Sequence, residues 1–265
     1  MKAPIMSNPF DLSRQTAVVT GGSRGLGFAI ARSLAEAGAR VIITARDAQR
    51  LAAAAAELTA EGHAVVAHPF DLADEAACVA AAADIQAAHG DVAILINNAG
   101  INAWQALEEA TVATWQRVIN TNLTGSYLLA REFARGMVAR RYGRIVNVGS
   151  ALSVAGREKL AAYTASKHGI AGLSRALAAE LGPHGVTCNV LAPGYFKTEI
   201  NIPILARPGF EAAVNGRIPL RRWCEPEEIG GIAVFMASRA SAYMNGHVLV
   251  ADGGLTETFV LPTDA

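Results

Sequence analysis

A chain of 265 residues that is 52% hydrophobic is long enough for one large core, and its formal net charge of zero excludes a global pull toward nucleic acid or anionic membrane. No apolar run nears the roughly 20 residues that span a bilayer, and the opening Met1–Phe10, with two prolines and no apolar stretch, does not read as a secretory signal. Three scattered cysteines, Cys78, Cys188 and Cys224, form no CxxC pair, which argues against a disulfide framework or a metal site and for a reducing compartment, so the expected location is the cytoplasm.

Short β-branched runs alternate with longer alanine-rich stretches. In chain order, strands are predicted at 16–20, 40–45, 64–68, 92–96, 144–148, 187–191 and 247–250. Nearly continuous apolar runs of this kind are typical of parallel strands covered on both faces. Helices are predicted at 28–37, 48–61, 75–89, 114–140 and 161–181. The alternation implies right-handed βαβ units and a single-domain, doubly wound Rossmann fold of the α/β class over residues 1–265, with a seven-stranded parallel sheet flanked by helices on both faces. Residues 1–11 form a short N-terminal extension. The irregular, proline-containing stretch from Pro193 to Pro219 reads as a substrate lid over 194–219, or else as an ordered connection.

The first predicted strand runs into Thr20-Gly21-Gly22-Ser23-Arg24-Gly25-Leu26-Gly27, and a helix follows at once. Glycines at 21, 25 and 27 permit a tight turn, close approach of backbone to a pyrophosphate, and close packing of helix on strand. The free N–H groups of the helix start then form an anion site. The spacing T-G-x-x-x-G-x-G resembles that of the short-chain dehydrogenase/reductase family, and the motifs below extend the resemblance over residues 12–256. It implies that Gly21, Ser23, Arg24, Gly25, Leu26 and Gly27 cradle a dinucleotide.

An NAD-preferring site carries an acid at the end of the second strand, where it binds the adenosine ribose. This chain has Ala45 and then Arg46 there, and Asp47 is expected to cap the following helix. Guanidinium groups at Arg24 and Arg46 suit a 2′-phosphate that an acid would repel, and the family resemblance gives basic residues at both positions the same meaning. NADP(H) is the expected cofactor, with NAD(H) as a second option. The competing reading of both arginines is solvated surface charge. By resemblance, Asp71 and the amide of Leu72 hold the adenine, while Asp71 also reads as a cap for the helix near Glu75. Asn97-Asn98-Ala99-Gly100 resembles the family's N-N-A-G segment, which implies that Asn98, Ala99 and Gly100 run beside the adenosine ribose and that Asn97 ties neighbouring strands together.

Tyr163 and Lys167 stand four apart on a predicted helix and so share a face. A free tyrosine ionises near pH ~10, so acid/base work at neutral pH needs a stabilised phenolate, which an adjacent ammonium favours. Such a pair alone occurs by chance on many helices. Ser150, however, ends the fifth predicted strand, where a doubly wound fold places its ligands, and Asn122 lies in the long helix 114–140. Asn122, Ser150, Tyr163 and Lys167 match the family's catalytic tetrad in order and spacing. Asn120 competes for the first place, but the pattern N-x-x-G aligns on Asn122 and Gly125. The resemblance implies that Tyr163 is the acid in reduction and the base in oxidation, and that Ser150 donates to the substrate oxygen. It further implies that Lys167 lowers the tyrosine pKa and holds the nicotinamide ribose, and that Asn122 positions a relay water. Pro193, Gly194 and Thr198 resemble the family's P-G segment, with Thr198 at the nicotinamide carboxamide; a proline-fixed turn is the alternative.

The reaction so implied is hydride transfer between NADP(H) and a small carbonyl/alcohol pair, in a homotetramer built through the two long helices and the last strand, with no nucleic-acid or membrane partner. Gly194-Tyr195-Phe196-x-Thr198-Glu199, Arg222-Trp223-x-Glu225-Pro226-Glu227-Glu228, Asn245-Gly246-His247 and Asp252-Gly253-Gly254 look most like gluconate 5-dehydrogenases, which interconvert 5-ketogluconate and gluconate. Arg157 and Lys159 offer charge to a sugar-acid carboxylate or else form an exposed loop, and Gly149 leaves room where a bulkier residue would shape the pocket. Reductases of other small ketones or of 3-oxoacyl thioesters share these motifs. A non-catalytic nucleotide-sensing regulator would have lost part of the tetrad.

Overall fold

The strand-forming runs pair into one parallel sheet: β1 (Thr16–Thr20), β2 (Arg40–Thr44), β3 (Val65–Ala67), β4 (Ile94–Asn97), β5 (Gly143–Val148), β6 (Val186–Pro193) and β7 (Val248–Ala251). Their spatial order is β3-β2-β1-β4-β5-β6-β7, and every neighbouring pair is parallel. The computed structural model describes residues 8–199 and 201–258. Most of the expected N-terminal extension, and position 200 of the expected lid, therefore lie outside the described residues.

Because successive side chains alternate, β1, β2, β4, β5 and β6 bury both of their faces. Val19, Ile43, Ile94, Ile96 and Val146 pack with Ile30 and Leu34 of α1 (Gly25–Glu36) and Leu51 and Leu58 of α2 (Ala48–Ala60). Val18, Ile42, Leu95 and Ile145 pack on the other face. Their partners there are Cys78 and Ile85 of α3 (Glu75–His89), and Leu129 and Phe133 further along the chain. Each such side chain contributes roughly 1.5–3 kcal/mol when fully buried.

The predicted long helix 114–140 is not one helix. α4 (Val112–Ile119) passes into a π-helical turn at Asn120–Thr124 before α5 (Gly125–Ala139). The extra residue turns the Asn122 amide inward to the backbone of Ile101. Gly125 then lets the helix touch Leu72, since a Cβ at that position would lie 2.5 Å from Leu72 Cγ. After α6 (Ala161–Leu181), the stretch expected to be irregular carries two short helices, α7 (Ile202–Leu205) and α8 (Phe210–Arg217), and α9 (Gly230–Ala237) packs against α1. Val214, Ile218 and buried Trp223 form a small separate core with Tyr195 and Phe210.

The chain leaves β1 toward β2 and β3 on one side, then returns through β4 toward β5, β6 and β7 on the other. A crevice therefore opens at the carboxyl ends of β1 and β4, the place where open α/β sheets bind ligands.

Candidate active site

Two loops meet in that crevice. The amide of Asn98 donates to Thr20 Oγ1 (3.0 Å), Ala99 N donates to the same oxygen (2.9 Å), and Asn98 Nδ2 donates to Thr20 O (2.9 Å). The segment Asn98–Gly100 is thus locked against the glycine turn. Asn97 does tie strands together, since its Nδ2 donates to Asn147 Oδ1 at 2.8 Å.

Glycine is obligatory where the two loops are tightest. A Cβ on Gly21 would lie 2.9 Å from Asn98 Nδ2, and one on Gly27 would overlap the Gly21 carbonyl. Gly25, by contrast, takes φ +54° and has room for a side chain, with Thr198 Cγ2 in ordinary contact at 3.5 Å from its would-be Cβ. Ser23 and Leu26 are partly buried beside it.

The first turn of α1 has neither a side-chain cap nor an acidic residue. α2, α3 and α4 are capped by Asp47, Asp74 and Thr111. α1 therefore keeps its first N–H groups unclaimed by side chains, at the mouth of the crevice, where a pyrophosphate fits them. The residues present suit a dinucleotide.

The cations near this end are already engaged. Arg24 Nη1 lies 3.1 Å from Glu199, whose carboxylate also meets Arg50 Nη2 at 2.5 Å. Arg46 is 81% exposed and 3.9 Å from Asp71. Asp47 caps α2 as expected, accepting from Arg50 N. Asp71 does not cap α3; Asp74 does, and Asp71 accepts instead from Ala73 N at 2.9 Å, because the chain needs one more turn before the helix begins. The Leu72 side chain is core. Glu199 and Arg50 carry no signal in the sequence, because the fold alone brings residues 149 positions apart into contact.

The tetrad candidates assemble around the start of α6. Ser150 caps a short turn, accepting from Leu152 N at 3.1 Å. Tyr163 lies near enough to the Ser150 side chain for that group to favour its phenolate. Lys167 is 4% exposed, donates to Val148 O at 2.7 Å, and places its ammonium 5.4 Å from the Tyr163 ring centre. A Cβ on Gly100 would sit 3.6 Å from that ammonium, so the N-N-A-G segment passes directly beside it. Asn122 accepts from Ile101 N (2.8 Å) and donates to Ile101 O (2.9 Å) and Ser166 Oγ (3.0 Å). Ser166 Oγ in turn donates to Tyr163 O at 2.7 Å. The Asn122 side chain therefore braces α6 at the tyrosine, with both amide hydrogens and one lone pair of Oδ1 engaged by protein. Ser166, which the sequence reading missed, is the middle of that brace.

Burial shifts both titrating groups toward their neutral forms. It pushes Lys167 down to about 8 and Tyr163 above its ordinary value, with the Ser150 side chain acting against the rise. In the protein alone, loss of solvent is the larger cause of the tyrosine's shift.

Pro193 ends β6, and Gly194 N donates to Ala251 O at 2.9 Å. A Cβ on Gly194 would lie 2.6 Å from Asp252 Cβ, so packing requires glycine there as well. Gly149 does not open the pocket as expected, because a Cβ there would lie 2.5 Å from Ser153 Oγ and 2.6 Å from Val190 Cγ1. Arg157 donates to Tyr195 Oη at 2.7 Å, and its guanidinium lies over Trp104 at 4.6 Å and Phe210 at 5.8 Å. Lys159 is exposed.

The profile of the short chain dehydrogenase family matches residues 15–208. Gluconate 5-dehydrogenase of Gluconobacter oxydans is 40% identical over 253 residues, covering 95% of this chain and 99% of that protein. The L-tagatose-forming galactitol 2-dehydrogenase of Cereibacter sphaeroides is 42% identical over 93% of this chain and 97% of its own. A crystal structure of a gluconate 5-dehydrogenase from Burkholderia cenocepacia, in complex with NADP and tartrate, superposes with a TM-score of 0.91 at 37% identity, covering 95% of this chain and 98% of that one.

Proposed function

The chain belongs to the short-chain dehydrogenase family and is an NAD(P)-dependent oxidoreductase of the CH–OH group, and from that premise we propose that it interconverts 5-ketogluconate and gluconate with NADP(H) as its preferred cofactor. The observation that carries the reading is the convergence of Ser150, Tyr163 and Lys167 beside the glycine-lined crevice.

The nicotinamide, when bound, supplies or accepts the hydride. Tyr163 Oη gives its proton to the carbonyl oxygen in reduction and takes it back in oxidation. Ser150 Oγ, whose lone pair is held by Leu152 N, keeps its own hydrogen to donate to the same oxygen as charge develops there. Lys167 holds its ammonium within reach of both the tyrosine and the ribose side of the crevice. Asn122, through Ser166, is a positioning residue for α6. Gly21, Ser23, Gly25, Leu26 and Gly27 cradle the pyrophosphate, with Asp71, Leu72, Asn98, Ala99 and Gly100 along the adenosine half and Pro193, Gly194 and Thr198 at the nicotinamide end. Arg24 and Arg46 select the 2′-phosphate. Residues 194–219 act as the lid.

The substrate class rests on Arg157 and on the names of the relatives. Arg157 is partly buried, stacked on aromatic rings, and makes no ion pair with a carboxylate among the described residues. A sugar-acid carboxylate supplies that partner. Trp104 and Phe210, flanking it, suit the C–H faces of a polyol. A neutral polyol, as in the galactitol enzyme's name, is the second reading.

Arg157→Met separates them. The KM for 5-ketogluconate is expected to rise ~10–100-fold, the worth of one charge-assisted contact, with kcat little changed and with L-tagatose unaffected. Wild-type turnover of L-tagatose but not of 5-ketogluconate would reject the sugar-acid reading.

The active form is a homotetramer formed through α4, α5, α6 and β7. Val112, Trp115 and Tyr127 are exposed large apolar residues along the first two of these, with exposed Leu107 shortly before α4 and Tyr243 before β7. The cytoplasm suits the chain's thiols, since Cys78, Cys188 and Cys224 are all free.

A further inference from the structure

Glu199 ends the segment that crosses from β6 over the glycine turn. Its carboxylate sits between two guanidinium groups from different βα units, Arg24 in the turn (3.1 Å) and Arg50 in the first turn of α2 (2.5 Å). Two cations brought that close repel one another unless an anion bridges them. All three side chains are close to half exposed, so the bridge itself is worth little in water and exchanges readily for a stronger anion. Arg46, almost fully solvated, stands near the same end of β2 with only a long contact to Asp71. A phosphate monoester offers three oxygens and nearly two charges where Glu199 offers two oxygens and one charge.

We propose that Arg24 and Arg50 form one seat for the 2′-phosphate of NADP(H), and that Glu199 holds this seat until the phosphate displaces it. The inference rests on the NADP(H) reading above and adds two residues to it. Arg50 is a specificity residue for the phosphorylated cofactor. Glu199 is its internal competitor, present on the lid side of the crevice. NADH brings no group able to displace it.

Equilibrium binding tests this without turnover. NADPH and NADH are titrated against wild type, Arg50→Met, Arg50→Lys and Glu199→Gln, following nicotinamide fluorescence. Arg50→Met is expected to weaken NADPH ~10-fold or more, as loss of a charge-assisted contact does, and to leave NADH within about twofold. Arg50→Lys is expected to keep part of the preference, because it retains charge without the planar fork. Glu199→Gln is expected to tighten NADPH a few-fold and leave NADH unchanged.

A wild type that prefers NADPH, with variants that keep that preference in full, overturns the seat and leaves the cofactor reading standing. Equal changes for both cofactors overturn it too, since they mean a structural role. A wild type that binds NADPH no better than NADH overturns both.

Discussion

Lys167 and Tyr163 are shifted by the same cause, burial, and each toward its neutral form. For the lysine this becomes a statement about stability. Unfolded lysine titrates near 10.5 and Lys167 at about 8, so between those values the unfolded chain binds more protons and the contribution of Lys167 to stability rises with pH. Below about pH 8 the burial penalty is present in full. The thiols act oppositely: Cys78, Cys188 and Cys224 are raised by burial from 9.0 to about 11, 12 and 11, so above pH 9 they cost stability. Comparing wild type with Lys167→Met isolates the lysine, because the thiols are common to both. Denaturant unfolding of the cofactor-free proteins at about pH 7 and about pH 9.5 is expected to show wild type gaining on the variant by up to ~1.4 kcal/mol per pH unit. Parallel pH profiles would contradict the burial of an ionisable amine. Tyr163→Phe keeps the ring and loses the proton, and kcat should fall ~10²–10⁴-fold in both directions. An unaltered Kd for NADPH would show that the cofactor site survives. Retained turnover would remove Tyr163 from the chemistry.

The element with the most to do for its length is the π-helical turn at Asn120–Thr124. Through Asn122 it joins the loop after β4 to the start of α6, and π-bulges inside helices often mark functional positions. Asn122→Ala leaves the amide and carbonyl of Ile101 unpaired in a partly buried site. Thermal melts should place the loss at ~1–3 kcal/mol, with kcat reduced as α6 loses its brace. A variant with wild-type kcat would confine Asn122 to stability. This element was not legible in the sequence, because 114–140 keeps helical periodicity throughout and one inserted residue scarcely disturbs it. The strands were legible, since buried parallel strands read as continuous apolar runs, and so was the glycine turn between the first of them and α1. α7 and α8 were not, because they are short and surrounded by prolines. That Asn122, Ser150, Tyr163 and Lys167 gather at one place was readable, but the pairing of Glu199 with Arg24 and Arg50, and the tight fit at Gly149, arise from contacts between distant segments that no local pattern records.

At the scale of the molecule, the topology explains why so few segments carry the site. Reversal of direction between β1 and β4 opens one crevice, and the ends of β1, β4, β5 and β6 deliver the glycine turn, the N-N-A-G segment, Ser150 and the segment 193–199 to it. Among the described residues no helix is long and apolar enough to cross a membrane, and the apolar residues left exposed on α4 and α5 are expected to be covered by other copies of the chain. Light scattering should return the mass of four chains; a single chain in solution would contradict that assembly. NADPH-dependent reduction of 5-ketogluconate is tested most directly by one rate comparison, the fall in nicotinamide absorbance when the purified protein is given 5-ketogluconate with NADPH or with NADH. Turnover is expected, with kcat/KM for NADPH at least ~10-fold above that for NADH, as one charge-assisted phosphate contact requires. No turnover with either cofactor, or a preference for NADH, would contradict it.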